Sequence, residues 1–206
     1  MRLKYFSILI LILNIILFNR ASFSTTMEEF IFDDSKPIHI KILETLPKEA
    51  IIQVGPDDAK NTVIEFMDYF CGYCKKIHPE LLELAEERND LRVVFLQHPI
   101  LNQNSVLIAK MVIAAKYQNK GLELHNAIFS IEGSLTQEKL VRIIEEIEIN
   151  EVILQIDTNK PEVDKIIQLT SFLAGGIGAR GTPTVFVNEN YSPGYVSKAK
   201  IIGMLK

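Results

Sequence analysis

Cysteine is scarce in this chain: 206 residues hold two, Cys71 and Cys74, three positions apart. So few cysteines exclude a small disulfide-stapled scaffold, which needs several bridges between distant segments. Tryptophan is absent, and the histidines are only four, His39, His78, His98 and His125. Basic residues are not in excess: 22 Lys and Arg face 26 Asp and Glu, a net charge of −4, which lacks the electrostatic footprint of a nucleic-acid binder. The acidic residues are dispersed over helical faces, as on a solvated surface. Internal repeats and low-complexity segments are also missing. No apolar run reaches the roughly 20 residues needed to cross a bilayer.

What is present fits one globular domain with a substantial core, since 48% of the residues are hydrophobic. Arg2 and Lys4 precede an apolar run from Tyr5 to Phe18, and small residues follow from Ala21 to Ser24. That layout predicts a signal peptide over 1–24 and export to the periplasm; an uncleaved anchor is the alternative. No cysteine stands at the leader boundary to take a lipid. Removal of the leader leaves 19 basic against 26 acidic residues. An N-terminal arm is expected over 25–54, and the main domain over 55–206.

Within the arm, Ile38 to Leu46 reads as a short helix and Ile51 to Val54 as a strand, closed by the turn Gly55-Pro56-Asp57-Asp58. Thr62 to Met67 reads as a buried strand, and the helix after it carries Ile77, Leu81, Leu82, Leu84 and Ala85, with a kink at Pro79. Asn89-Asp90 ends that helix, and Leu91 to Leu96 forms a second strand, completing a βαβ unit. Over about 102–174 helical signals dominate, as four helices at Val106–Tyr117, Leu122–Phe129, Thr136–Glu148 and Pro161–Leu173. Ser134 with Gln137 suggests a capping box, and Pro161 suits a first turn. Thr184 to Val187 reads as a strand, Asn188 to Asn190 as a turn, Tyr195-Val196 as a short strand, and Ser197 onward as a terminal helix. The fold class is therefore α/β, a thioredoxin-like sheet with an inserted helical subdomain.

A cysteine just after a buried strand, in the first turn of a helix, meets unpaired backbone N–H groups and the positive end of the helix dipole. Cys71 has that position and is the expected nucleophile. Cys74, one turn deeper on the same face, is the expected resolver of a mixed disulfide. A zinc half-site would need two further ligands from the four histidines. Covalent haem attachment would need histidine where the chain has Lys75. A purely structural bridge would close too small a loop to constrain the unfolded chain. The pair Thr182-Pro183, after a glycine cluster and before a strand, suggests a cis X-Pro turn beside the cysteines.

The segment from Phe66 through Cys71-Gly72-Tyr73-Cys74-Lys75, with Gly181-Thr182-Pro183-Thr184-Val185-Phe186-Val187, resembles the DsbA family of bacterial thiol–disulfide interchange proteins. The resemblance covers about 55–206. It implies an exposed nucleophile at Cys71, a buried resolver at Cys74 and a cis-proline at Pro183. Gly72, Tyr73, Thr182 and Pro183 would meet the client, with the Thr182 backbone offered to an extended peptide. Glu65, six residues before Cys71, matches the family's semi-buried acid and would assist proton transfer at Cys74. No metal or organic cofactor is implied. The implied partners are cysteine-containing secreted or periplasmic proteins and a membrane redox partner. Gly72-Tyr73 departs from the Pro-His of the best-known oxidases, and Thr182 replaces the usual valine; both look more like isomerases and reductases, which act as oligomers. A dithiol oxidase or general oxidoreductase is the leading expectation. An oligomeric isomerase or reductase, possible as a homo-oligomer through the arm, is the alternative, and a binding protein without turnover is a second one.

Overall fold

The computed structural model describes residues 35–206. The expected leader and the first ten residues of the arm lie outside the described residues. The chain runs through helix α1 (Ile38–Thr45), strands β1 (Ile52–Val54) and β2 (Asn61–Met67), helix α2 (Gly72–Glu87) and strand β3 (Leu91–Gln97). Five helices follow: α3 (Ser105–Ala115), α4 (Gly121–Ser130), α5 (Gln137–Glu146), α6 (Glu151–Thr158) and α7 (Pro161–Gly176). The chain then returns as β4 (Thr184–Val187) and β5 (Asn190–Pro193) and closes with α8 (Lys198–Ile202).

The sheet order is β1-β3-β2-β4-β5. β2 and β3 pair in parallel across the α2 crossover, while β1 runs antiparallel to β3 and β4 antiparallel to β2. Both central strands are buried on both faces, which explains their continuous apolar character. Side-chain alternation divides the core into two layers. Val63, Met67, Val93, Phe95, Val185 and Val187 face α2 and the helical insertion; Ile64, Phe66, Val94, Leu96 and Phe186 face α1 and α7. α2 buries Ile77, Leu81 and Leu84 at helical spacing on the first layer. Each such side chain contributes about 1.5–3 kcal/mol relative to exposure. The apolar contacts of this face carry the helix through Pro79, which removes one intrahelical hydrogen bond.

Several expectations need correction. The insertion holds five helices rather than four. The additional one is α6, whose β-branched Val152, Ile153 and Ile156 are exposed and do not mark a helical core stripe. Its signal is Asn150, whose side chain accepts from the Ile153 N–H at 3.0 Å. The cap of α5 is Thr136 rather than Ser134, accepting from the Lys139 N–H, so the capping box is misplaced by two residues. The strand expected at Tyr195-Val196 lies instead at Asn190–Pro193. The turn after β4 is tight, Asn188 takes a left-handed φ of 51°, and β5 pairs at once. The helix expected in the arm gains a purpose, since Ile42 and Leu46 pack into the second core layer.

The segment leading into α2 is fixed by a buried carboxylate. Asp68 accepts from the N–H groups of Phe70, Ile100 and Leu101 at 2.9, 2.7 and 2.9 Å, and from the Ser105 hydroxyl at 2.9 Å. It thus ties the end of β2 to the loop after β3 and to the start of α3. Asp68→Ala leaves these donors without a partner and should lower unfolding stability by about 3 kcal/mol or more in denaturant titration, with Asp68→Asn recovering part of the loss.

Candidate active site

Cys71 is the N-cap of α2, and its sulfur accepts from the Cys74 N–H at 3.3 Å. Helix geometry places Cys74 one turn on, fully buried, while Cys71 retains 5% exposure. The Thr182–Pro183 bond is cis, and it sets the Thr182 carbonyl 3.2 Å from the Cys71 sulfur, which donates to it as the thiol. The Pro183 carbonyl accepts from the Gly194 N–H at 2.8 Å, so the turn is held from the end of β5. Both cysteines are free thiols here. Gly72 faces open space and Tyr73 is exposed, so both border the nucleophile from the solvent side.

The two thiols are driven apart in acidity. Cys71 is lowered from 9.0 to about 6, first by the hydrogen bond from the Cys74 thiol, against the opposing effect of burial. The Thr182 side chain and the N–H groups of Cys74 and Tyr73 add to the lowering. Cys74 is pushed far up, first by burial, then by its hydrogen bond to Cys71 and the nearby Glu65 carboxyl. A thiolate at Cys71 beside a protonated Cys74 is the arrangement that thiol–disulfide exchange requires.

Glu65 faces the interior on the same layer as Cys74. Its strand neighbours are Phe95 on β3 and Val185 on β4, neither of which offers a charge. It is fully buried, and among the described residues neither carboxylate oxygen has a partner at ordinary hydrogen-bond geometry. Burial raises its pKa well above 4.5, the Cys74 thiol opposes this, and the Cys71 charge adds to it. The group is therefore a carboxylic acid with a proton to exchange beneath Cys74.

Behind the cysteines, sequence reading missed a buried polar cluster. The Tyr69 hydroxyl lies 2.8 Å from His125 Nδ1 and accepts from Gln97 Nε2 at 3.2 Å. His78 stacks on Phe129 with ring centroids 4.7 Å apart. Burial lowers His78 to about 4 and His125 well below 6.5, so both are neutral near pH 7. His98, at the end of β3, is also lowered by burial. Sequence reading also missed a cavity of about 490 Å³ beside Cys71, walled by the helical insertion and by Lys75. The only local signal for it was the position of Lys75, one turn after Cys71. Among the described residues, no three His, Cys, Asp or Glu side chains gather as metal ligands.

A family model described as DSBA-like thioredoxin domain matches residues 62–203. Among solved structures, the chain is similar to a thioredoxin-like oxidoreductase from Silicibacter pomeroyi DSS-3, with a TM-score of 0.71 and 27% identity, covering 85% of this chain and 94% of that one. Among curated relatives, "Probable disulfide bond formation protein D" of Bacillus anthracis is 26% identical over 165 residues, 72% of this chain and 75% of that protein. The Na(+)/H(+) antiporter NhaA 3 of Salinispora tropica is 26% identical over 137 residues, 65% of this chain. The chain's match spans 21% of that antiporter's length.

The acidity of Cys71 couples stability to pH. With a folded pKa of about 6 against 9.0 unfolded, its thiolate stabilises the reduced chain fully above the unfolded value, and that contribution is lost as pH falls toward 6. Cys74 stays protonated in both states over this window, and burial, the largest cause of the raised Glu65 pKa, acts on reduced and oxidised forms alike. Reduced chain should therefore gain stability relative to the disulfide form between about pH 6 and 8 in paired unfolding curves. A gap that does not move with pH would contradict the assignment.

Proposed function

The chain belongs to the DSBA-like thioredoxin domain family of thiol–disulfide oxidoreductases, and on that premise we propose that it exchanges disulfides with secreted proteins in the periplasm through Cys71 and Cys74. The observation that carries this reading is the Cys71 sulfur capping α2 and accepting from the Cys74 N–H at 3.3 Å, with Cys74 fully buried one turn inside. In the oxidising direction, a client thiolate attacks Cys71 of the Cys71–Cys74 disulfide. The bond between the cysteines breaks, and Cys74 leaves with the electron pair and takes a proton, for which the Glu65 carboxyl is the nearest source. A second client thiolate then attacks the client sulfur of the mixed disulfide and expels Cys71 as a thiolate. The client loses two electrons and two protons; one proton replaces that given up by Glu65, the other passes to solvent, and the enzyme ends reduced, with Cys71 as thiolate and Cys74 as thiol. A membrane redox partner then restores the disulfide.

Stabilisation of the departing Cys71 thiolate favours this direction. Once Cys71 is ionised or oxidised, the Thr182 carbonyl loses its thiol donor and becomes available to a client backbone N–H. Gly72-Tyr73 and Thr182 support the second reading, an isomerase or reductase acting as an oligomer. Reduced ribonuclease should regain activity with the oxidised chain, and insulin should be reduced when a thiol regenerates it; Cys71→Ser should abolish both, and Glu65→Gln should slow exchange about tenfold or more. Refolding of scrambled ribonuclease by an oligomer would favour the isomerase reading. Binding of a client that survives Cys71→Ser, with no turnover in either assay, would contradict both and leave a binding protein.

A further inference from the structure

The cavity beside Cys71 lies between the start of α2, the loop after β3 and the loop joining α4 to α5. Its apolar floor includes Ile128 and Phe129, its polar rim Asn102, Asn104 and Ser134. Cys71 itself lines it, so a group bonded to that sulfur has this space beside it. Among the described residues, Lys75 is the only charged side chain in the lining. Its ammonium donates to the Ile131 carbonyl on the opposite wall, which holds it at the cavity and leaves two N–H groups unengaged among the described residues. Lys139 supports the same loop from behind, donating to the carbonyls of Glu132 and Ser134 at 2.6 and 3.1 Å.

Among the described residues, no carboxylate offsets Lys75 within the cavity. Glu132 is exposed outside the lining, and Asp68, behind the wall, has both oxygens engaged by the four donors described above. The other flank of Cys71 differs. There Tyr73 sits beside Tyr195 with centroids 6.1 Å apart, Lys76 lies 4.3 Å over the Tyr195 ring, and the Tyr195 hydroxyl donates to Glu80. That side carries both signs of charge, whereas the cavity lining, among the described residues, carries one cation within a chain of net charge −4.

We propose that this cavity is a specificity site, in which Lys75 selects client segments carrying an acidic side chain next to the reacting cysteine. The inference rests on the exchange reaction proposed above and names its preferred substrate class. A client lying along the Thr182–Pro183 turn places one flank of its cysteine in the cavity. A carboxylate there meets a half-buried, pre-positioned ammonium, and a lysine there meets repulsion in a space with no compensating anion. Asn102, Asn104 and Ser134 supply neutral hydrogen-bonding groups around that contact.

The test uses single-cysteine peptides bearing Glu, Gln or Lys at each position flanking the cysteine, reacted with the oxidised full chain. Consumption of the Cys71–Cys74 disulfide, as mixed disulfide plus the dithiol left when a second peptide thiolate releases it as peptide disulfide, is followed by acid quench and mass spectrometry. Rates are normalised to those of the same peptides with a small disulfide, which removes differences in peptide thiol acidity. At one flank, Glu should outpace Gln about threefold to tenfold at low salt, Lys should be slowest, and the spread should shrink as salt is raised. Lys75→Gln should erase the Glu-over-Gln ratio, Lys75→Glu should invert it, and Lys75→Arg should keep it. A Glu-to-Gln ratio of one in the unmodified chain, or a ratio unchanged in Lys75→Gln, would overturn the specificity site while leaving the exchange reaction intact. Failure of every peptide to consume the Cys71–Cys74 disulfide, whether as mixed disulfide or as dithiol, would overturn the exchange reading, and this inference with it.

Discussion

The Cys74 N–H and thiol both act on the sulfur of Cys71, and the remaining geometry of the site follows from holding those two groups in place. A helix N-terminus leaves backbone donors without partners, and here a sulfur stands where an oxygen cap usually sits. Negative charge on that sulfur is favoured by the same donors that the helix must satisfy. Capping and activation are thus one interaction. For it to work, α2 must start immediately after β2, which the Asp68 carboxylate secures from the side of the helical insertion and the cis Thr182–Pro183 turn borders from the side of β4.

The same constraint sets the acidity of the groups below. Placing Cys71 at the helix end puts Cys74 one turn inside, against the sheet face that also carries Glu65. Neither neighbouring strand supplies Glu65 with a cation, since Phe95 and Val185 flank it. Burial therefore dominates, and both Cys74 and Glu65 hold protons that only exchange between them and the reacting sulfur can use. The cluster of Tyr69, Gln97, His78 and His125 fills the space between this layer and the insertion with neutral, mostly aromatic groups, keeping charge away from the resolver.

Much of this was legible in the residues, for a physical reason. The central strands are buried on both faces and read as apolar runs whichever way they face, and a CxxC at a strand-to-helix junction carries its chemistry locally. The same property hid the orientation of Glu65: when both faces are buried, alternation does not say which one an acid occupies. α6 was missed because Val152, Ile153 and Ile156 face solvent, so the helix lacks the apolar stripe by which helices are read. The cap at Thr136 and the strand at Asn190–Pro193 were displaced by a few residues because several capping and turn residues stand together at each place. The Lys75 cavity and the Asp68 clamp join segments more than 30 residues apart, and no local pattern announces such contacts.

The central claim is that this fold makes Cys71 the acidic thiol while Cys74 stays protonated. Direct titration of the reduced chain, by ultraviolet thiolate absorbance together with the alkylation rate at each cysteine, tests it most plainly. The account predicts one transition near pH 6, assigned to Cys71, with Cys74 unreactive until the chain unfolds. A first transition near the ordinary value of 9.0, or one that belongs to Cys74, would contradict it.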